Sequence, residues 1–296
     1  MRSSQQAAKL LMILVALALV SAAETKQEMR FTVGPRATLA IVNQFGGISV
    51  KPSPGNVVVV VATRASDKVQ IERNPEASAD SSAASRINIT SYLLPGANPE
   101  TGRVDYEVTV PVDMNVILQS ATGALHVEKL RGELEIEGAQ STVDVRDISE
   151  AHVHVKTMDG PVSLTNIKGG HVEVESVSGD IHLVEVAAPQ VRVSSTRGRI
   201  SYDGDFGYTG EYTLTNHSGD IDATIPQTAS AEIRATSLHG KVEDDVHLKP
   251  KTRYSASSMF SGTTSFVGTT LSTVSHSASS VLLSTFSGKI HLQKRQ

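Results

Sequence analysis

A short phrase returns along this chain at a nearly constant interval, and that interval restricts the folds open to it. The phrase is a glycine, any residue, an aliphatic residue, a polar residue, then usually another apolar one. It reads Gly123-Ala-Leu125-His-Val127, Gly160-Pro-Val162-Ser-Leu164, Gly179-Asp-Ile181-His-Leu183 and Gly198-Arg-Ile200-Ser-Tyr202, and it continues at Gly219, Gly240 and Gly288. Ser141-Thr-Val143-Asp-Val145 takes one step without the glycine, so the steps from 123 to 240 are 18, 19, 19, 19, 21 and 21 residues. A second series runs half a period away: Leu134, Val153, Val172 and Val191, with Ile136, Val155, Val174 and Val193 two residues on. Tyr212 with Leu214, and Ile233 with Ala235, extend it at a step of 21.

Alternation of apolar and polar residues at period two marks a strand with one buried face. Two strands of about five residues in every nineteen leave no room for a helix of ordinary length. One repeat cannot bury its apolar side alone, whereas stacked repeats enclose a continuous core between two parallel sheets. The predicted fold is therefore all-β, a parallel β-solenoid or β-helix-like stack with about 19–21 residues per rung. An antiparallel sandwich has similar turn spacing, but its hairpin loops would drift out of a strict 19-residue register.

The rest of the chain divides around this repeat. Residues 1–23 read as a secretory signal peptide: Arg2 and Lys9 are basic, Leu10 to Val20 is apolar, and Ser21-Ala22-Ala23 offers a cleavage site. No later stretch is apolar for long enough to span a membrane, so the mature protein is expected to be soluble and extracytoplasmic, either periplasmic or secreted. Residues 24–117 are expected to form an N-terminal β part of the solenoid, with Leu39 to Ile48 as a first rung. Loops at Pro75–Ser85 and Pro95–Gly102 are expected to project from it. Residues 118–250 hold the regular repeats, and 251–296 form a Ser/Thr-rich tract in which Phe260-Ser-Gly262 and Phe286-Ser-Gly288 suggest further rungs. The net charge of −4 argues against a nucleic-acid partner. With no cysteine, disulfides, thiol catalysis, iron–sulfur clusters and Cys-based zinc sites are all excluded.

Two features together resemble a known family. One is Val104-Asp-Tyr106-Glu-Val108-Thr-Val110-Pro111 followed by Val116-Ile-Leu118-Gln-Ser-Ala-Thr-Gly123; the other is the Ser-Gly-Asp-Ile phrase at Ser178–Ile181 and Ser218–Ile221. With the strand before Gly46-Gly47-Ile48, the order of these motifs over residues 30–292 is similar to a bacterial secreted family of unknown function carried under the name of adhesin. The resemblance implies a β-helix-like solenoid at the cell envelope and transfers no catalytic or binding residue.

In a stack, residues one period apart lie about 4.8 Å from each other across the ladder. The outward residues of the half-period series then form columns: Glu133, His152, His171 and Gln190, and beside them Glu135, His154, Glu173 and Arg192. Glu133, His152, His154, His171 and Glu173 are the candidate metal ligands by residue type. A solvated charge ladder explains the same columns, and no metal or other cofactor is expected. The glycine-led series gives the outward column His126, Asp144, Ser163, His182, Ser201, Asp222 and Glu243. It has the residue types of a Ser/His/Asp triad but neither an oxyanion hole nor a strained nucleophile turn. Some parallel β-helix enzymes place carboxylates on adjacent rungs to cleave polysaccharide, and Asp203, Asp222 and Glu243 are the residues that would do so here. The preferred expectation is a non-enzymatic binding or structural role at the cell envelope, toward a polysaccharide or a surface protein. The alternative is a polysaccharide hydrolase or lyase.

Overall fold

A computed structural model describes residues 24–78, 81–207, 209–252, 264–269 and 278–295. The expected signal peptide and Phe260-Ser-Gly262 lie outside these residues. The strands are β1 (Thr25–Phe45), β2 (Ile48–Ser53), β3 (Val57–Arg64), β4 (Val69–Ser78), β5 (Ser81–Leu93), β6 (Val104–Pro111), β7 (Asn115–Glu128), β8 (Leu134–Asp159), β9 (Val162–Ser178) and β10 (Ile181–Ala187). They continue as β11 (Gln190–Arg197), β12 (Ile200–Gly204), β13 (Glu211–Ser218), β14 (Ile221–Ile225), β15 (Ala231–Ser237), β16 (Val242–Asp244), β17 (Lys249–Thr252), β18 (Thr264–Thr269), β19 (Ser279–Ser287) and β20 (Ile290–Lys294). Among the described residues there is no helix.

The two periodic series become the two faces of a β-solenoid. Val172 lies beside Val191 and Val174 beside Val193 in one parallel ladder. Ile181 lies beside Ile200 and Leu183 beside Tyr202 in the other. The half-period series builds a first sheet in the order β4, β5, β1, β7, β8, β9, β11, β13, β19, β15, β18, β17. β8 passes through this sheet twice, at Leu134–Gly138 beside β7 and at His152–Asp159 beside β9. The glycine-led series builds a second sheet in the order β1, β3, β6, β2, β7, β8, β9, β10, β12, β14, β20, β16. The inward residues of both sheets, among them Leu134, Val153, Val162, Ile181, Val193 and Leu214, are essentially inaccessible to solvent and form one core.

The order of the rungs departs from the sequence at both ends. The 21-residue steps place Ile233 and Val242 next after Tyr212 and Ile221, yet the C-terminal strands stand between them. Val281 of β19 pairs with Tyr212 on one side and Ile233 on the other. Ile290 of β20 pairs with both Ile221 and Val242. The chain leaves β16, covers the edge of β15 with the antiparallel strand β18, and returns to fill the gap. The N-terminal end mirrors this: β1 lies between β5 and β7, and β2 between β6 and β7. The expected loop at Pro75–Ser85 instead belongs largely to strands, because β4 and β5 pair antiparallel and cover the end of the first sheet. Backbone pairing depends little on side chains, so an Ala/Ser-rich stretch can serve when an open edge needs covering.

One corner of the rung is built by a repeated Ser/Thr/Asn-x-x-Gly: Asn43 to Gly46, Ser120 to Gly123, Thr157 to Gly160, Ser176 to Gly179, Ser195 to Gly198, Asn216 to Gly219, Ser237 to Gly240 and Thr285 to Gly288. The glycine is required by close approach. A Cβ at Gly179, where φ is +123°, would stand 2.7 Å from the carbonyl carbon of Gly160 one rung away. The first residue of the motif is buried and at several rungs satisfies a corner carbonyl: Asn216 Nδ2 donates to Gly198 O at 2.7 Å and Ser237 Oγ to Gly288 O at 2.7 Å, whereas the Thr157 hydroxyl is buried without a partner. At Gly138-Ala-Gln-Ser141 the two ends of the motif are exchanged, and Gly138 leaves the room that Ser141 fills. The opposite corner uses left-handed residues instead, at Lys129, Asp147, Asn166 and Glu185, each followed by a buried aliphatic: Leu130, Ile148, Ile167 and Val186. Where the step lengthens to 21, the extra chain supplies Phe206, which packs against Tyr202 and Tyr212 with ring centroids 5.2 and 4.9 Å away.

Candidate functional site

The outward residues of the second sheet form a flat ladder whose charges are paired toward its two ends. Arg146 Nε donates to Asp144 Oδ1 at 2.9 Å, and His126 Nδ1 lies 3.1 Å from Asp144 Oδ2. Ser163, His182 and Ser201 follow in register. The column then runs through Asp222 to His291, because β20 intervenes, and only then to Glu243. Asp222 and Glu243 are therefore two rungs apart, which corrects their expected adjacency.

The three carboxylates of the hydrolase reading are brought to one region but not to one point. Asp203 accepts hydrogen bonds from Arg295 Nη2 at 2.6 Å and Nε at 2.9 Å. Asp222 faces Arg199 at 3.4 Å and His291 at 3.8 Å. Glu243 pairs with Lys289 at 3.3 Å. His291 also reaches Asp245, with Nε2 at 2.8 Å from Oδ2. Arg295 additionally donates to Asp205 and to Gly204 O, both at 3.0 Å. Partial burial works against its charge, but the bonds from Asp203 and Asp205 outweigh that and raise its pKa above the ordinary guanidinium value. This clamp ties the last residues of the chain to the bend after β12.

On the first sheet, His152 and His171 are register neighbours, as are His154 and Glu173. The two imidazole rings stand 6.3 Å apart. His171 Nδ1 is engaged by Gln190 Oε1 at 3.0 Å, and its Nε2 lies 3.6 Å from Glu173. Glu173 lies 4.0 Å from Arg192 on its other side, and the backbone N–H of Glu133 is held by Asn115 Oδ1 at 2.9 Å. Among the described residues no group of three or more His, Asp or Glu side chains is arranged to hold a metal ion. The column has the geometry of a charge ladder, in which each neighbouring pair contributes a few tenths of a kcal/mol to about 1 kcal/mol.

A feature outside the sequence-based candidates lies along the glycine corner. Between the buried polar residue and the glycine of each motif, two residues face outward. Where the first of these is Ala121 and Ala139, the corner is hollowed into a groove of about 470 Å3, bordered by Glu137, Lys156, Met158 and Val177. Met158 is 63% exposed and Val177 43%. The signal was present in the sequence as two small residues followed by two large apolar ones at the repeat spacing.

The crystal structure of a candidate cell adhesion protein from Clostridium sporogenes ATCC 15579 is similar over 92% of this chain and 100% of its own, at 12% identity and a TM-score of 0.36. No curated protein matches the chain. Residues 82–293 match the family described as Toastrack DUF4097, a domain of unknown function. That match takes in the regular repeats and the out-of-order C-terminal rung, and the chain belongs to the Toastrack DUF4097 family.

Proposed function

We propose that this protein is an extracytoplasmic, non-enzymatic scaffold of the cell envelope, exported through a signal peptide cleaved near Ala23, that binds an extended partner along its flat faces. The observation that carries this reading is the second-sheet ladder. Ten strands from β6 to β16 at about 4.8 Å give a surface about 40 Å long. On this face Asp144, Asp222 and Glu243 are each answered by a cation. A carboxylate engaged in this way is poorly placed to donate a proton or attack a sugar carbon, as the hydrolase reading requires. A long flat ladder, charged toward its two ends and lined by Ser163, His182 and Ser201 between them, suits a polysaccharide or a surface protein strand that meets it repeatedly.

The test is a panel of envelope and extracellular polysaccharides and surface-protein fractions offered to the purified mature chain, scored for retention and for bond cleavage. Retention without cleavage, weakened by Arg146→Glu, is the expected result. Cleavage that disappears in Asp222→Asn would make the protein an enzyme and end the scaffold reading. Export is checked by N-terminal sequencing of the mature protein, where an intact Met1 would contradict it.

A further inference from the structure

Along six neighbouring rungs, the first outward residue of the glycine corner is Gln44, Ala121, Ala139, Met158, Val177 and Thr196. Two small residues adjoin two large apolar ones. The small pair floors the groove, and the large pair stands beside it, exposed. Exposed apolar side chains next to an apolar hollow mark a contact surface. The pattern itself indicates what fills it.

We propose that this corner joins two copies of the chain, packed antiparallel about a two-fold axis that crosses the strip between the Ala139 and Met158 rungs. That axis carries the Met158 rung of one copy onto the Ala139 rung of the other, and the Val177 rung onto the Ala121 rung. The two protrusions of each copy then enter the groove of its mate, which is the self-complementarity an isologous contact requires. The flanking residues agree with the same operation. On the side of the first sheet, Glu137 is set opposite Lys156 of the second copy, and Lys156 opposite Glu137. On the other side Gln140 meets Asp159, Thr122 meets Ser178, and Arg197 meets Phe45. The pairs are of opposite charge, of hydrogen-bonding partners, or of a cation and an aromatic ring. An axis running along the strip would instead set Met158 on Met158 and leave both grooves unfilled.

The contact is small. Six rungs at about 4.8 Å make a strip about 25 Å long. On one corner this covers far less than the roughly 800 Å2 per partner of a standard interface. The dimer is accordingly weak and reversible. This inference is independent of the scaffold reading, since partner retention and self-association are measured separately.

The chain has no cysteine, which makes the test direct. Ala139→Cys and Met158→Cys chains are prepared separately, mixed and oxidised. The mixed disulfide is expected to exceed either self-linked product by several-fold. Self-linked Met158→Cys as the main product, or no more cross-linking than with Ser201→Cys on the second sheet, overturns the proposal. Sedimentation of the unaltered protein up to about 500 µM is expected to show association that Met158→Asp weakens at least about 30-fold, as for a contact centred on one apolar anchor. Glu137→Lys is expected to weaken it and Glu137→Lys with Lys156→Glu to restore it. A monomer at every concentration, or an association indifferent to Met158→Asp, overturns the proposal.

Discussion

Replacing Gly179 by alanine tests whether the glycine corner is set by contact between rungs or merely by backbone freedom. The added Cβ would stand 2.7 Å from the carbonyl carbon of Gly160 and 3.1 Å from its nitrogen. The Gly160 oxygen lies closer still, and ordinary contact begins near 3.4 Å, so the rungs would have to part by more than about 0.7 Å. The two rungs are tied on both sides of the corner, by the register pairing of Thr157 with Ser176 on the first sheet and by Val162 N donating to Asp180 O at 2.9 Å on the second. Forcing an extra carbon into such packing costs about 1–3 kcal/mol. A φ of +123° in a residue with a side chain costs about 1–3 kcal/mol more. Together these predict a loss of about 2–6 kcal/mol. Gly96 is the control: its φ is +80°, but nothing lies within 4 Å of an added Cβ. Gly96→Ala should lose only the backbone part, about 1–2 kcal/mol. The chain has no tryptophan, so urea unfolding is followed by circular dichroism in the strand band. If Gly179→Ala is no more destabilising than Gly96→Ala, inter-rung contact is not what requires the glycine.

Three further outcomes follow from the packing. Burial pushes the Tyr106 phenol up to about 12, opposed more weakly by its hydrogen bond with Ser91 and by Arg64. The unfolded chain releases that proton near pH 10, so the stabilisation is full below pH 10 and is lost as pH rises from 10 to 12, by on the order of 2–3 kcal/mol. Burial also raises the Tyr202 and Tyr212 phenols, so Tyr106→Phe should make that part of a stability-versus-pH curve shallower without levelling it, and an unchanged slope would contradict the assignment. Asn216→Ala leaves the half-buried Gly198 carbonyl without its 2.7 Å side-chain donor but also removes the buried, unpartnered Asn216 Oδ1, and should cost about 1 kcal/mol in urea unfolding, whereas a neutral result would mean that the corner polar residue merely fills space. Glu185 is left-handed with φ 55°, a conformation disfavoured by about 1–2 kcal/mol for a residue with a Cβ, so Glu185→Gly should be neutral or raise Tm by a few degrees; a clear loss would show that the glutamate side chain supports that corner.

The parts of this fold legible in the sequence are those where side chains repeat. The pairing of Val172 with Val191 and of Ile181 with Ile200 follows from spacing alone, because a slip of one residue would turn every apolar side chain outward. The spatial order of the terminal rungs is not legible in this way. The phrase at Gly288-Lys-Ile290 fits equally well on either side of Gly240-Lys-Val242, and only the edges left open by other strands decide between them. The antiparallel end strands escape the reading for a related reason, since β4 and β5 meet through their backbones while the Pro75–Ser85 stretch of their sequence is Ala/Ser-rich. Among the candidate site residues, the neighbouring His152 and His171 were legible because they lie in the regular region. The distance between Asp222 and Glu243 was not, because His291 comes from 69 residues beyond Asp222.

The insertion of the last rung is the least expected element of this architecture, and it can be tested in a cysteine-free chain with two double variants. Asp222→Cys with His291→Cys places cysteines on paired outward positions of adjacent strands, within the span of about 4.4–6.8 Å between Cα atoms that a disulfide bridges. Asp222→Cys with Glu243→Cys places them two rungs apart, at about 10 Å. Mild oxidation followed by peptide mapping should give an intramolecular disulfide in the first variant and free thiols in the second. A disulfide that forms readily between positions 222 and 243 but not between 222 and 291 would mean that the rungs stack in sequence order, and the account of the C-terminal end would be wrong.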